Sequence, residues 1–255
     1  MQFQDNLGSI IFIIFYLTTI WLFLGKIIFS NWKKHSFKTH PPEWKWIFAA
    51  YFLLGFGDIF HLGSRILVYF AGWGPDDYLT NLLVGSGLII TGITMTYFYI
   101  AIFHVWSKIY GESHSSSQKI KLFTIILYTS FIARIILVLL PYNRWYEGDP
   151  TIDFGFNFRF ISNIPIYIVG LLSVYLLIKS SNAERKIDSR INAEINRGNF
   201  WAGISYLVSY ACYTITIIFV DIYPLTGMFM IPKTIAYLVA FYFHYTAILN
   251  REYSK

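Results

Sequence analysis

Cysteine is almost absent from this chain: Cys212 is the single thiol among 255 residues. One cysteine excludes an intrachain disulfide and a zinc cluster built on cysteines. Charge is scarce too. Asp, Glu, Lys and Arg make up 13% of the residues, against about 25% in soluble domains, and the deficit comes from long uncharged segments. No Lys or Arg precedes the first apolar run. A secretory signal has a basic start and a small-residue cleavage site. Neither is visible, so the first segment is expected to stay as a helix. No internal repeat is visible, which gives no support to an inverted-repeat transporter. What the chain has in abundance is apolar and aromatic surface, 56% and 20% of residues, with a mean hydropathy of +0.50.

Seven segments reach the roughly 20 residues needed to cross a bilayer as a helix. They cover about 7–29, 44–71, 79–106, 120–140, 158–178, 200–220 and 225–249. The expected fold is all-α: one polytopic seven-helix transmembrane domain over 1–255. The connections set the orientation. Lys26, Lys33, Lys34, Lys38 and Lys45 flank or fill the first loop, and Lys108, Lys119 and Lys121 the third. The fifth holds Lys179, Arg185, Lys186, Arg190 and Arg197, and the tail Arg251 and Lys255. The opposite side has Arg144 and Arg159, with Asp5, Asp76, Asp77, Glu147, Asp149, Asp153 and Asp221. Lys and Arg in short loops mark the cytoplasmic face. The expectation is therefore an outside N-terminus, a cytoplasmic C-terminus and a multi-pass position in the cell membrane, the inner or cytoplasmic one. The formal charge of +6 follows from this loop bias, so no nucleic-acid partner is expected. Membrane lipids are.

The loops are too short to be domains. Residues 179–199 read as a solvated helix or turn, 113–117 as a polar linker, and 141–156 as a loop folding over the bundle mouth. The third span holds Gly85, Ser86, Gly87, Thr91, Gly92, Thr94 and Thr96. Small residues let helices approach closely in lipid, so this span is expected to be the central packing helix. Pro165 and Pro232 mark kinks or tolerated positions in spans five and seven.

The chemistry lies in residues 57–65, Gly-Asp-Ile-Phe-His-Leu-Gly-Ser-Arg. Intramembrane ionisable groups are costly and face the bundle interior or a water-filled cavity. On a helix Arg65 falls about 20° from Asp58 and His61 about 60° away, so all three share a face. Asp58 and Arg65 are roughly 10 Å apart in rise and need partners from other helices. Arg134 and Lys233 lie about 9–12 Å below the same boundary as Arg65. Arg159 and Asn163 enter from span five, and Tyr210 and Tyr213 from span six. Three cations then face one anion. The sequence supports a ligand site of Asp58, His61, Arg65, Arg134, Asn163, Tyr210, Tyr213 and Lys233. It would be an outward-facing polar cavity for a small anionic or amphipathic, lipid-like ligand, in a sensor, carrier or accessory protein. Arginine forks suit carboxylate and phosphate. Two alternatives stand beside it: an intramembrane hydrolase with Asp58 and His61 as acid and base, and a purely structural charge network.

Zinc needs its ligands around one point. His61 is in the outer half of the bundle, His104 and His244 are near the inner ends of their spans, and His35, His40 and His114 are in loops. No metal and no cofactor are expected.

Seven spans, an outside N-terminus and Lys233 in the last span resemble microbial rhodopsins, which implies a retinal-bearing lysine. The chain departs from that pattern: Phe229 stands one turn before the lysine, Pro232 directly before it, and residues 79–106 hold no acid. Asp58 and His61, with Ser64, resemble the alkaline-ceramidase and progestin-receptor superfamily, which implies three histidines, an aspartate and a serine around zinc. The strings at 57–65 and 230–237 (Met-Ile-Pro-Lys-Thr-Ile-Ala-Tyr) are similar to those of a bacterial seven-span membrane family. That resemblance implies the fold and no activity.

The loop charges generate a direct test. Reporter fusions after Lys38, Gly111 and Lys255 all report a cytoplasmic location; a periplasmic signal from any one overturns the seven-span orientation.

Overall fold

The structure is a computed structural model that describes residues 7–34, 40–74, 76–114, 116–146, 158–184, 190–219 and 223–250. The loop charges Asp5, Lys38, Glu147, Asp149, Asp153, Arg185, Lys186, Asp221, Arg251 and Lys255 lie outside these residues, as do 147–156 and the side chain of Arg159. Among the described residues every regular element is helical. The seven α-helices are α1 Leu7–Lys34, α2 Pro42–Ala71, α3 Tyr78–His114, α4 Ser117–Leu139, α5 Phe158–Glu184, α6 Arg190–Phe219 and α7 Met230–His244. Short 3-10 stretches at Pro141–Asn143 and Pro224–Phe229 precede α5 and α7, and a π-helical turn, Tyr245–Leu249, extends α7. Seven helical segments are long and apolar enough to cross a membrane. This is consistent with a multi-pass integral membrane protein.

Each expected span has its helix, but several helices run past the apolar stretch that announces them. The linker expected at 113–117 narrows, because α3 continues to His114 and α4 starts at Ser117. Residues 179–184 and 190–199 are helical, as a helix or turn was expected there, but Ser180, Ser181, Asn196 and Asn199 are buried rather than solvated. Buried polar contacts hold these extensions. The Tyr110 hydroxyl donates to Asn196 Oδ1 at 2.8 Å and accepts from Asn199 Nδ2 at 2.9 Å. Trp106 Nε1 donates to Ser180 Oγ at 2.8 Å.

Helix ends follow local chemistry. Pro42 opens α2 at the first turn, where a missing N–H costs nothing. Gly72, with φ 68°, closes it in the left-handed conformation. Ser116 accepts from the Lys119 N–H and caps α4. Beyond α4, Asn143 Nδ2 donates to the carbonyls of Val138 and Leu140, and Trp145 Nε1 to Val138 at 2.7 Å. This folds the described part of the 141–156 loop back onto the bundle. Pro232 sits in the first turn of α7, whereas Pro165 lies inside α5. Between α1 and α2, His40 bonds to Asn31 and stacks on Trp44 at 4.1 Å. Burial, and then the Lys45 charge, hold its imidazole below the ordinary histidine range.

The core centres on α3, whose stretch from Phe98 to Trp106 is buried apart from His104. Helix α3 packs on α2, α4 and α5. Glycine makes the α2–α3 approach possible. A Cβ on Gly57 would run into Thr94, and one on Gly87 into the Phe60 carbonyl and His61 Cα. Gly85 faces the Trp145 backbone in the same way.

Gly87→Ala therefore forces a backbone contact apart and lowers stability by about 1–3 kcal/mol. Gly63→Ala, with open space around its Cβ, is neutral or stabilising. Thermal melting of the two variants in one detergent checks the contrast; equal midpoints would refute this account of the packing.

Candidate functional site: a polar chain across the bundle

Helix periodicity puts Asp58, His61 and Arg65 on one face of α2, and the approach of α3 buries the first two. Asp58 is only 9% exposed. Its carboxylate receives the Tyr16 hydroxyl of α1 at 2.5 Å. From α7, Lys233 comes within electrostatic reach of Asp58, Arg65, His61 and Cys212. Its Nζ sits 4.5 Å from the centre of the Tyr213 ring on α6. The Tyr213 hydroxyl donates to Asn163 Oδ1 on α5 at 3.1 Å. The same oxygen accepts Arg134 Nη2 of α4 at 2.8 Å. Polar contacts thus join α1 to α2 and, separately, α7 to α4 through α6 and α5; Asp58 and Lys233 bridge the two groups only at longer electrostatic range.

The members do not play equal parts. Arg134 is 3% exposed, and its Nη1 also donates to the carbonyl and hydroxyl of Ser162. Both Nη atoms tie α4 to α5, while Nε has no hydrogen-bond partner among the described residues. Tyr210, expected in the cluster, donates instead to the Ile166 carbonyl at 3.0 Å. Its ring lies beside Tyr99 at 5.0 Å between centres, and its hydroxyl occupies the space a Cβ on Gly170 would need. Lys233 is half-buried, and no carboxylate lies within ion-pair distance of it among the described residues. His61 Nδ1 finds no hydrogen-bond partner among the described residues.

Below this chain lies a tyrosine layer that sequence reasoning missed. The Tyr99 and Tyr237 hydroxyls are 2.6 Å apart, and those of Tyr51 and Tyr206 2.7 Å. His244 Nδ1 lies 2.9 Å from Tyr51 and 3.3 Å from Tyr206. His244, at the last residue of α7, is fully buried. The available signal was the i, i+4, i+7 spacing of Tyr206, Tyr210 and Tyr213, which puts three hydroxyls on one face.

His104 is elsewhere, bonded to Tyr128 at 2.9 Å and stacked on Trp46. Among the described residues, no group of three or more His, Cys, Asp and Glu is placed to hold a metal ion. Asp58 bonds to Tyr16, and no hydrogen bond joins it to His61 there. The acid–base couple of the hydrolase alternative, which needs its members within hydrogen-bond reach of their targets, is therefore not assembled by mutual contact. No protein-family model matches this chain, and neither does any curated protein or solved structure.

Tyr16→Phe leaves the buried Asp58 carboxylate without its donor and costs about 1–3 kcal/mol. Adding Asp58→Asn to it costs less than in the wild-type background, because the two groups act on each other. Additive losses in thermal melts would show that the bond carries little. Arg134→Lys fails to restore the stability lost in Arg134→Met, since an ammonium cannot span Ser162 and Asn163 as the fork does. Equal melting of the lysine variant and wild type would contradict this.

Proposed function

We propose that the chain is a multi-pass protein of the cell membrane, N-terminus outside, whose outer end holds a polar site for a small anionic or amphipathic ligand. The observation that supports this reading is the state of Lys233. Arg134 has both Nη atoms bonded to α5 oxygens, and Asp58 is engaged by Tyr16. Lys233 has an aromatic face beneath it and remains half-buried. An ammonium in that setting is stabilised by an anion that enters. Carboxylate and phosphate are the chemical classes that fit, with His61 Nδ1 as an additional hydrogen-bonding atom. The ring of Tyr213 offers apolar contact to an attached chain. Such a site suits a sensor, a carrier or an accessory protein that works on lipids.

A second reading, a structural charge network, draws support from Arg134, which behaves as a helix tie. Thermal melting and mass spectrometry of copurified small molecules separate the two. Lys233→Met keeps length and apolarity, so it melts near wild type but loses the copurified anion. Asp58→Asn weakens the buried bond to Tyr16 and removes the anion nearest Lys233, costing about 1–3 kcal/mol. If Lys233→Met melts as low as Asp58→Asn and retains the same small molecules as wild type, the network is structural and the ligand site is refuted.

A further inference from the structure

A cleft of about 290 Å³ opens between α1 and α7, away from the polar chain. Thr19 and Phe23 line one wall, and Leu238, Val239, Tyr242 and Tyr245 the other. The spacing 19, 23, 26 on α1 matches 238, 242, 245 on α7, so each set forms a single stripe along its helix. The lining offers little hydrogen bonding. The Thr19 hydroxyl is turned back to the Phe15 carbonyl, and the Tyr245 hydroxyl to Asn250 Oδ1. At one end stands the exposed Lys26, whose Nζ is 5.7 Å from the centre of the Tyr245 ring.

We infer that this cleft is a site for one anionic phospholipid, with an acyl chain along the stripe and the phosphate at Lys26. Depth supports the assignment from two helices independently. Lys26 lies about 28 Å along α1 from Leu7, close to the full 30 Å of the hydrocarbon core. Tyr245 lies four residues from the end of the last apolar segment, at Leu249. Trp32, exposed beyond Lys26, is the residue type that seats at the headgroup level. The stripe spans seven residues, roughly 10 Å, which is most of one leaflet's ~15 Å. The cation at the headgroup end supplies the charge preference. The site is separate from Lys233 and stands whether or not that one binds an anion.

The test reconstitutes the full-length protein in vesicles of equal phosphatidylglycerol and phosphatidylcholine, then reads retained lipid by native mass spectrometry after gentle detergent extraction. Wild type keeps one lipid per chain, with phosphatidylglycerol favoured. Lys26→Gln, at an exposed position, reduces that preference about fivefold, the effect of one lysine near a membrane surface. Val239→Trp, on the exposed lip of the cleft, fills the space and lowers retention of both lipids, while its melting midpoint shows that the bundle is intact. The proposal is overturned if Lys26→Gln keeps the wild-type preference or if Val239→Trp retains lipid as wild type does. A dimer mass in wild type that disappears in Val239→Trp would also overturn it, by showing a second copy in the cleft.

Discussion

Inside an apolar bundle, a buried polar group has only other protein groups to bond with, and this constraint organises the structure. The Arg134 guanidinium shows it most plainly. Taken out of water, it is stabilised by oxygens of α5, the Ser162 carbonyl and hydroxyl and the Asn163 amide oxygen. Those bonds hold α4 and α5 in one register. Asn163 passes the constraint to α6 through Tyr213, and Tyr213 presents its ring to Lys233 on α7. Asp58 and Tyr16 close the other end on α2 and α1. Steric fit seats α3 against α2, through Gly57 and Gly87, while hydrogen bonds from Tyr99, His104, Trp106 and Tyr110 tie it to α7, α4, α5 and α6.

Polar chemistry is layered along the bundle. The charged chain lies towards the end where α1 begins. A layer of tyrosines with His244 follows, in which hydroxyls bond to each other. At the far end, Tyr110, Asn196 and Asn199 form a third layer, with Trp106 and Ser180 beside them. Neutral hydroxyls satisfy one another without the desolvation cost of ions, so the tyrosine layer separates the charged site from the opposite end. The two proposed sites respect this layering. The anion site uses the charged layer in the bundle interior. The lipid cleft lies on the lateral surface, with its cation at the other end.

Sequence and structure part company where polar side chains choose between partners of similar chemistry. Tyr210 and Tyr213 sit one turn apart on one face of α6, and periodicity treats them alike. Packing separates them: Gly170 leaves room for the Tyr210 hydroxyl to reach α5, while Tyr213 meets Asn163 and Lys233. Arg134 and Lys233 are likewise equal by depth, yet only the arginine meets a cluster of oxygens. His244 lies near the end of its span, yet it is buried, because Tyr51 of α2 and Tyr206 of α6 enclose it.

The sequence by itself determined seven helices of spanning length, their order, and the presence of Asp58, His61, Arg65, Arg134 and Lys233 in the bundle. Apolar run length and side-chain period are local quantities, readable within 20 to 30 residues. It also marked α3 as the closely packed helix through its glycines. Only the tertiary structure decided that Arg134 meets several oxygens of α5 while Lys233 lies over an aromatic ring. The bonds that settle this join residues 42, 29 and 50 positions apart. No local pattern specifies contacts at that separation, because they depend on how α1, α2, α4, α5 and α6 rotate about their own axes as the bundle packs.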